Sequence, residues 1–257
     1  SATESLAGFV ADTSYGTLPP DVIVSTKQRI LDTIGVALAG SDAPGCDGAR
    51  KPTLAEGATG TSTLWASCER AGSRGAAFIN SMHAAALDYD SVYERGSVHP
   101  DIVTIPAAWA VAEQTGANGK AFLAAVALGN EVACRFGAAN LHNKGWFYTS
   151  VHGVFGAAAA AGKLLGLDAA GIANALGLAL SRAGGTQQAL LEKSLAKRVQ
   201  SGFAAEAGVF AAQLAAAGIS GPSQAVEGKY GFHTLYGEGD VATLTRDLGA
   251  HYESLAT

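Results

Sequence analysis

Apolar and polar positions along the chain fall mostly into helical periods. "LPPDVIVSTKQRILDTIGVALAG" (residues 18–40) opens on two prolines, which suit a first helical turn because an N–H there has no intrahelical partner. Its Val22, Val24, Ile30, Leu31, Ile34 and Leu38 form a broad stripe, which predicts a helix with Gly40 as its C-cap. "SRGAAFINSMHAAALDYD" (73–90) predicts a second helix. "PAAWAVAEQTG" and "NGKAFLAAVALGNEVACRFG" predict two more, with a turn at Gly116 and Asn118-Gly119. "GVFGAAAAAGKLLG" reads as a small-residue helix, and "LDAAGIANALGLALSRAGG" as another with Asp168 at its N-cap. "QSGFAAEAGVFAAQLAAAG" continues the pattern. Strand-like alternation is convincing only in "TSTLWAS" (61–67), a short hairpin strand or an extended connection. No period of solenoid length recurs. So many Ala and Gly at helix positions imply close helix–helix approach, and the prediction is an all-α fold: one multi-layer helical domain over residues 1–257. Residues 233–257 turn more polar and read as the approach to a further, missing domain.

Composition narrows the classes. The 257 residues are 48% hydrophobic and 15% charged, which excludes disorder and allows a large core. A net charge of −5 gives no basic footprint, so nucleic acid is not an expected partner. Cys46, Cys68 and Cys134 are far apart, predicting reduced thiols in a reducing compartment and no zinc site. "SATESLAGFVADTSYG" lacks the pattern of a signal peptide, and the most apolar stretch, 154–167, carries Lys163 and is too short to span a bilayer. The expectation is a cytoplasmic protein without a membrane partner.

Against this weakly charged background, "AALDYDSVYERGSVHPD" (85–101) gathers Asp88, Asp90, Glu94, Arg95, His99 and Asp101. Pro100 biases His99 toward extended backbone, and Gly96 lets the segment bend back. A carboxylate and an imidazole on one loop can supply base and acid for removing a proton beside a carboxylate and expelling a leaving group. A solvated loop is the competing reading. His83, earlier on the same predicted helix, is either a packing residue or part of the site. No metal-binding spacing joins it to His99. His152 precedes the predicted Gly-flanked helix start, where free N–H groups attract anions; tight helix packing explains the glycines equally well. No strand precedes those glycines, so a nicotinamide cofactor is set aside. Lys193, Lys197 and Arg198 form either a solvated basic turn or a carboxylate-binding group.

Taken together, "RILDTIGVALAG", "AAFINSMHAAALDYDS", "SVHPD", "GVFGAAAAAGKLLGLDAAGIANALGLALSRAGG" and "AKRVQSGFAAEAGVFAAQLAAAGISGP" resemble, in wording and order, the MmgE/PrpD family. That family includes 2-methylcitrate dehydratase, cis-aconitate decarboxylase and iminodisuccinate epimerase. The resemblance implies a large helical domain, usually dimeric, with a smaller α/β lid that is absent from this chain, as is the family's "KPYP"-like motif. It also implies a cofactor-independent lyase acting on a small di- or tricarboxylate, with no metal. An epimerase or isomerase at the same site, or a non-catalytic dimerisation module, are the alternatives. Asp88 matches the first acid of the family's "LD(F/Y)DD", Asp90 the second, and Ser91 replaces the third. His99 matches the His of "HP", and Lys197 the Lys of "TKR/TKP", which resembles a binder of substrate carboxylate. The candidate catalytic set is Asp88, His99 and His152, with Asp88 orienting the imidazole; Lys197, His83 and Tyr93 are the candidate substrate-binding set. Phe147 stands where the family's "G(W/F)HxT" has His, and Gln200 where a basic residue or His follows the Lys motif. His152, five residues after Phe147, is the candidate to restore an imidazole.

Overall fold

The computed structural model describes residues 1–55, 60–140, 144–237 and 239–257. Twelve α-helices are described: α1 (Ala2–Asp12), α2 (Pro20–Gly40), α3 (Cys46–Ala55), α4 (Ser73–Ala84), α5 (Asp101–Thr115), α6 (Gly119–Ala139), α7 (Tyr148–Leu164), α8 (Ala169–Leu180), α9 (Gln188–Leu191), α10 (Ala196–Ala216), α11 (Phe232–Tyr236) and α12 (Val241–Thr245). A two-residue hairpin, β1 (Ser62–Thr63) with β2 (Arg70–Ala71), is the sheet content among the described residues, so the fold is all-α.

Helix α7 lies at the centre, against α5, α6, α8 and α10, and α4 fills the layer between α5 and α10. Small residues make this possible. A Cβ on Gly129 of α6 would stand 2.6 Å from the Gly156 carbonyl of α7, and one on Gly156 would stand 2.6 Å from the Gly129 carbonyl. The two backbones therefore touch where they cross, and no larger residue fits on either side. Phe136 and Phe155 stack across the same pair of helices with ring centroids 4.3 Å apart, and Phe232 of α11 meets both edge-on.

Helix ends follow their capping chemistry where the residue types allow it. Asn118 accepts from the Ala121 N–H at 3.0 Å, and Asp168 accepts from the Gly171 N–H at 2.8 Å. Gly116 closes α5 in the left-handed region at φ 67°. Helix α5 begins at Asp101, five residues before the predicted start, so Pro106 lies inside it and removes one ladder bond.

The stripe on α2 divides differently from the sequence expectation. Val22, Thr26, Arg29, Thr33, Ala37 and Gly40 are buried, whereas Val24, Leu31 and Leu38 are 55%, 75% and 47% exposed. Gly40 is the last helical residue and Ser41 the cap; the glycine is needed for close packing on α4, where a Cβ would sit 2.3 Å from the His83 carbonyl. Helix α6 is long and apolar enough to cross a bilayer by length and composition, but 83% of its most apolar window is buried within the helical layers. Its Glu131 and Arg135 are buried and tie down the polar tail. Arg135 donates to the carbonyls of Leu244, Arg246 and His251 at 2.7–3.2 Å, and Glu131 pairs with Arg135 Nε at 2.6 Å.

Candidate active site

The acidic segment is a loop joining α4 to α5. Helix α4 stops at Ala84, so Asp88 and Asp90 lie outside it, and Asp88 takes a left-handed conformation at φ 55°. The chain then makes a narrow turn: Tyr93 and Val98 bridge antiparallel around the 3₁₀ segment Glu94–Gly96, with Ser97 left-handed at φ 48°. Pro100 caps α5, and Asp101 in its first turn is buried. Asp101 Oδ1 accepts from Asn130 Nδ2 at 2.5 Å and lies 3.8 Å from Arg29 Nε, while Oδ2 accepts from the Ser91 hydroxyl. The loop is thus tied to a buried charge whose partners come from α2 and α6, and the helix dipole adds to its stabilisation.

The loop forms one wall of a cleft of about 530 Å³, which Asp88, Glu94, His99, Phe147, Thr149 and Lys197 help to line. The two carboxylates of the acidic motif have separate partners. Asp90, not Asp88, pairs with the imidazole: its Oδ2 is 2.9 Å from His99 Nδ1, and the Ser91 carbonyl is 3.0 Å from the same nitrogen. Two acceptors at Nδ1 assign the proton there, which leaves Nε2 as the nitrogen able to exchange a proton with a ligand. Burial opposes the charged form of His99, but the Asp90 hydrogen bond and its charge outweigh burial, so the pKa is raised above the ordinary imidazole value. Thr149 of α7 fixes the backbone by accepting from the His99 N–H at 3.2 Å.

Asp88 instead forms an ion pair with Lys197, in the first turn of α10. The Lys197 side chain is 20% exposed and its partner 62%, so water screens the pair and its net worth is at most about 1 kcal/mol. Burial, with the neighbouring Arg198, pushes the Lys197 pKa down from its ordinary value. A half-buried ammonium held by an exposed carboxylate can exchange that partner for a ligand carboxylate at little cost.

The structure does not bring His152, His83 or Tyr93 to the cleft. Helix α7 begins at Tyr148, so His152 is inside its second turn rather than ahead of it, and it is fully buried. Its ring lies among Phe136, Tyr148 and Phe232, with Nε2 2.8 Å from Asn140 Nδ2. Burial drops its pKa to about 3, so it is neutral. His83 is buried in the last turn of α4, where burial and then the Arg50 charge lower its pKa. Tyr93 is buried against Val98, Cys134 and Ala138, with its hydroxyl donating to Glu253. Sequence reasoning did not anticipate Arg29, Asn130 and Asp101 as the supports of the loop. The available signal was a charged or amide residue recurring at buried positions of otherwise apolar helices.

The profile of the MmgE/PrpD N-terminal domain matches residues 4–245. The chain is 32% identical to a cis-aconitate decarboxylase-like protein of Aspergillus oryzae, over 94% of this chain and 52% of that protein. It is 31% identical to the human cis-aconitate decarboxylase (92% of this chain, 50% of that one). It is 29% identical to the cis-aconitate decarboxylase of Aspergillus terreus (89% and 48%). The chain spans about half the length of the curated relatives it matches.

Proposed function

The chain belongs to the MmgE/PrpD family, and from that premise we propose that its cleft serves a cofactor-independent lyase acting on a small di- or tricarboxylate. Decarboxylation of a cis-aconitate-like tricarboxylate is the specific reaction we favour, in line with the names of the relatives. The observation that carries this reading is one cleft holding an exchangeable ammonium, Lys197, and an Asp90-held imidazole, His99.

Lys197 takes one substrate carboxylate in place of Asp88. As the carbon–carbon bond to a second carboxylate breaks, its electron pair passes into the adjoining unsaturated carboxylate, CO2 leaves, and a proton must return to carbon. His99, favoured as imidazolium by Asp90, delivers that proton from Nε2 and is reprotonated from solvent. In a dehydration the same imidazolium would protonate the departing hydroxyl. Among the described cleft residues His99 is the only imidazole, because Phe147 occupies the second position and His152 is in the core.

The test follows cis-aconitate by proton NMR in D2O and measures its affinity by calorimetry. The parent chain is expected to bind it and release CO2 with deuterium retained at carbon. Lys197→Ala should weaken binding about 10- to 100-fold, the worth of one charge-assisted hydrogen bond. His99→Ala should keep the affinity and lose about 100- to 10,000-fold in turnover. Unchanged affinity in Lys197→Ala, or full turnover in His99→Ala, would overturn the reading.

A further inference from the structure

The turn that delivers His99 is held from outside the cleft. Glu253, in the 3₁₀ segment Glu253–Ala256 of the tail, is 11% exposed. Its carboxylate accepts from the Tyr93 hydroxyl and from Arg95 Nη1 at 3.1 and 3.3 Å, with His251 Nε2 at 3.7 Å. Tyr93 closes the base of the turn by exchanging backbone hydrogen bonds with Val98, at 2.8 and 3.3 Å, one residue before His99. Gly96 presses the turn onto α6, where a Cβ would stand 2.6 Å from Gly137 Cα, so the turn has no room to settle elsewhere on that side.

The tail that carries Glu253 is itself fixed by buried charge. Glu131 of α6 accepts from the Glu253 N–H at 3.1 Å and the Ser254 N–H at 2.9 Å. Arg29 of α2 donates to the Ser254 carbonyl at 2.9 Å, and its Nε faces Asp101, the support of the other end of the loop. One guanidinium therefore touches both the tail and the loop anchor. Stranding any of these buried groups would be costly, which makes the tail a rigid post rather than a loose strap. None of this is used by the proton transfer.

We propose that Glu253 is a positioning residue for His99: by gripping Tyr93 and Arg95 it keeps the turn closed and so holds Asp90 and His99, on the turn's two sides, within pairing distance. The proposal deepens the lyase reading and rests on it only for the consequence for turnover; the positioning can be read without any substrate. His99 faces Asp90 and the Ser91 carbonyl from its own loop and Thr149 from α7, with Asp88, Glu94 and Lys197 around the same cleft. Of these, Asp90 is the group that the turn brings round.

The experiment is a pH titration of the His99 imidazole by NMR in the whole chain, parent against Glu253→Ala and Tyr93→Phe. Loosening the turn should leave burial to dominate, so the His99 midpoint should fall in both variants. Glu253→Gln, which can still accept from Tyr93, should restore part of the parent value. Asp240→Asn, a tail change whose carboxylate, among the described residues, serves Arg246 and α12, should leave the midpoint where it was. A merely structural role would lower thermal stability without moving the His99 titration. Folded Glu253→Ala and Tyr93→Phe with the parent midpoint would overturn the proposal. Should Glu253→Ala not fold, Tyr93→Phe, which deletes one oxygen, decides alone. Fallen midpoints in a chain that binds no tricarboxylate would uphold the positioning role and overturn the lyase reading instead.

Discussion

His99 sits at the end of a loop with its Nδ1 shared between Asp90 and a carbonyl, whereas His152 sits in α7, inside a cage of aromatic rings with an amide for company. Both are largely screened from water, yet their pKa values move in opposite directions. At His99 a paired carboxylate outweighs burial, and at His152 burial acts unopposed. Burial alone therefore does not make an imidazole a catalyst. On the proposed reading, what fits His99 to the reaction is a charged partner on one nitrogen together with a place in the cleft lining.

The sharpest way to break this contrast is to remove the partner. Asp90→Asn should lower the His99 pKa, because burial is then the main influence left. The sign for stability follows from the raised value: the pair contributes fully below the ordinary imidazole value of about 6.5 and fades as pH rises through the higher folded value. Denaturant melts should therefore show the Asp90→Asn penalty largest in mild acid and shrinking with rising pH. The alkaline limb of turnover should move to lower pH in the same variant. An unshifted limb would mean that the imidazole does not depend on Asp90.

A smaller effect is expected at His152. Its pKa is depressed in the fold, so its contribution to stability is present above about 6.5 and is lost as pH falls toward about 3, because the unfolded chain takes up a proton the core refuses. His152→Gln, which can still accept from Asn140, should flatten the acid side of the stability profile and leave cis-aconitate affinity and turnover at the parent level. A large loss of turnover in a folded His152→Gln would return this residue to the site.

The helical order, the turn at Asn118, the cap at Asp168 and the gathering of Asp88, Asp90 and His99 in one segment were legible in the sequence, since periodicity and local turn chemistry act over a few residues, although the helix predicted to run to Asp90 stops at Ala84. The division of labour between the two acids was not. Asp88 turns left-handed and reaches α10, while Asp90 folds back to His99, and the partner of each is set by elements far along the chain. The exposed apolar stripe on α2 misled for a related reason: the buried face carries Thr26, Arg29 and Thr33, and Arg29 is held there by buried partners, Asp101 and Ser254. Pro106 looked like a helix start because proline suits one, yet α5 begins earlier, where Asp101 is anchored. His152 was placed ahead of a helix because the glycines beside it read as a helix entrance. They serve close packing instead: a Cβ on Gly153 would stand 2.9 Å from the Val103 side chain.

The most direct test of the contrast is a histidine side-chain NMR titration of the parent chain with and without tricarballylate, an unreactive tricarboxylate. The account predicts that His99 Nε2 responds to the ligand and that its pKa rises further, because added negative charge favours the imidazolium, while His152 stays neutral and unmoved. A ligand-induced shift at His152 with His99 silent would contradict it.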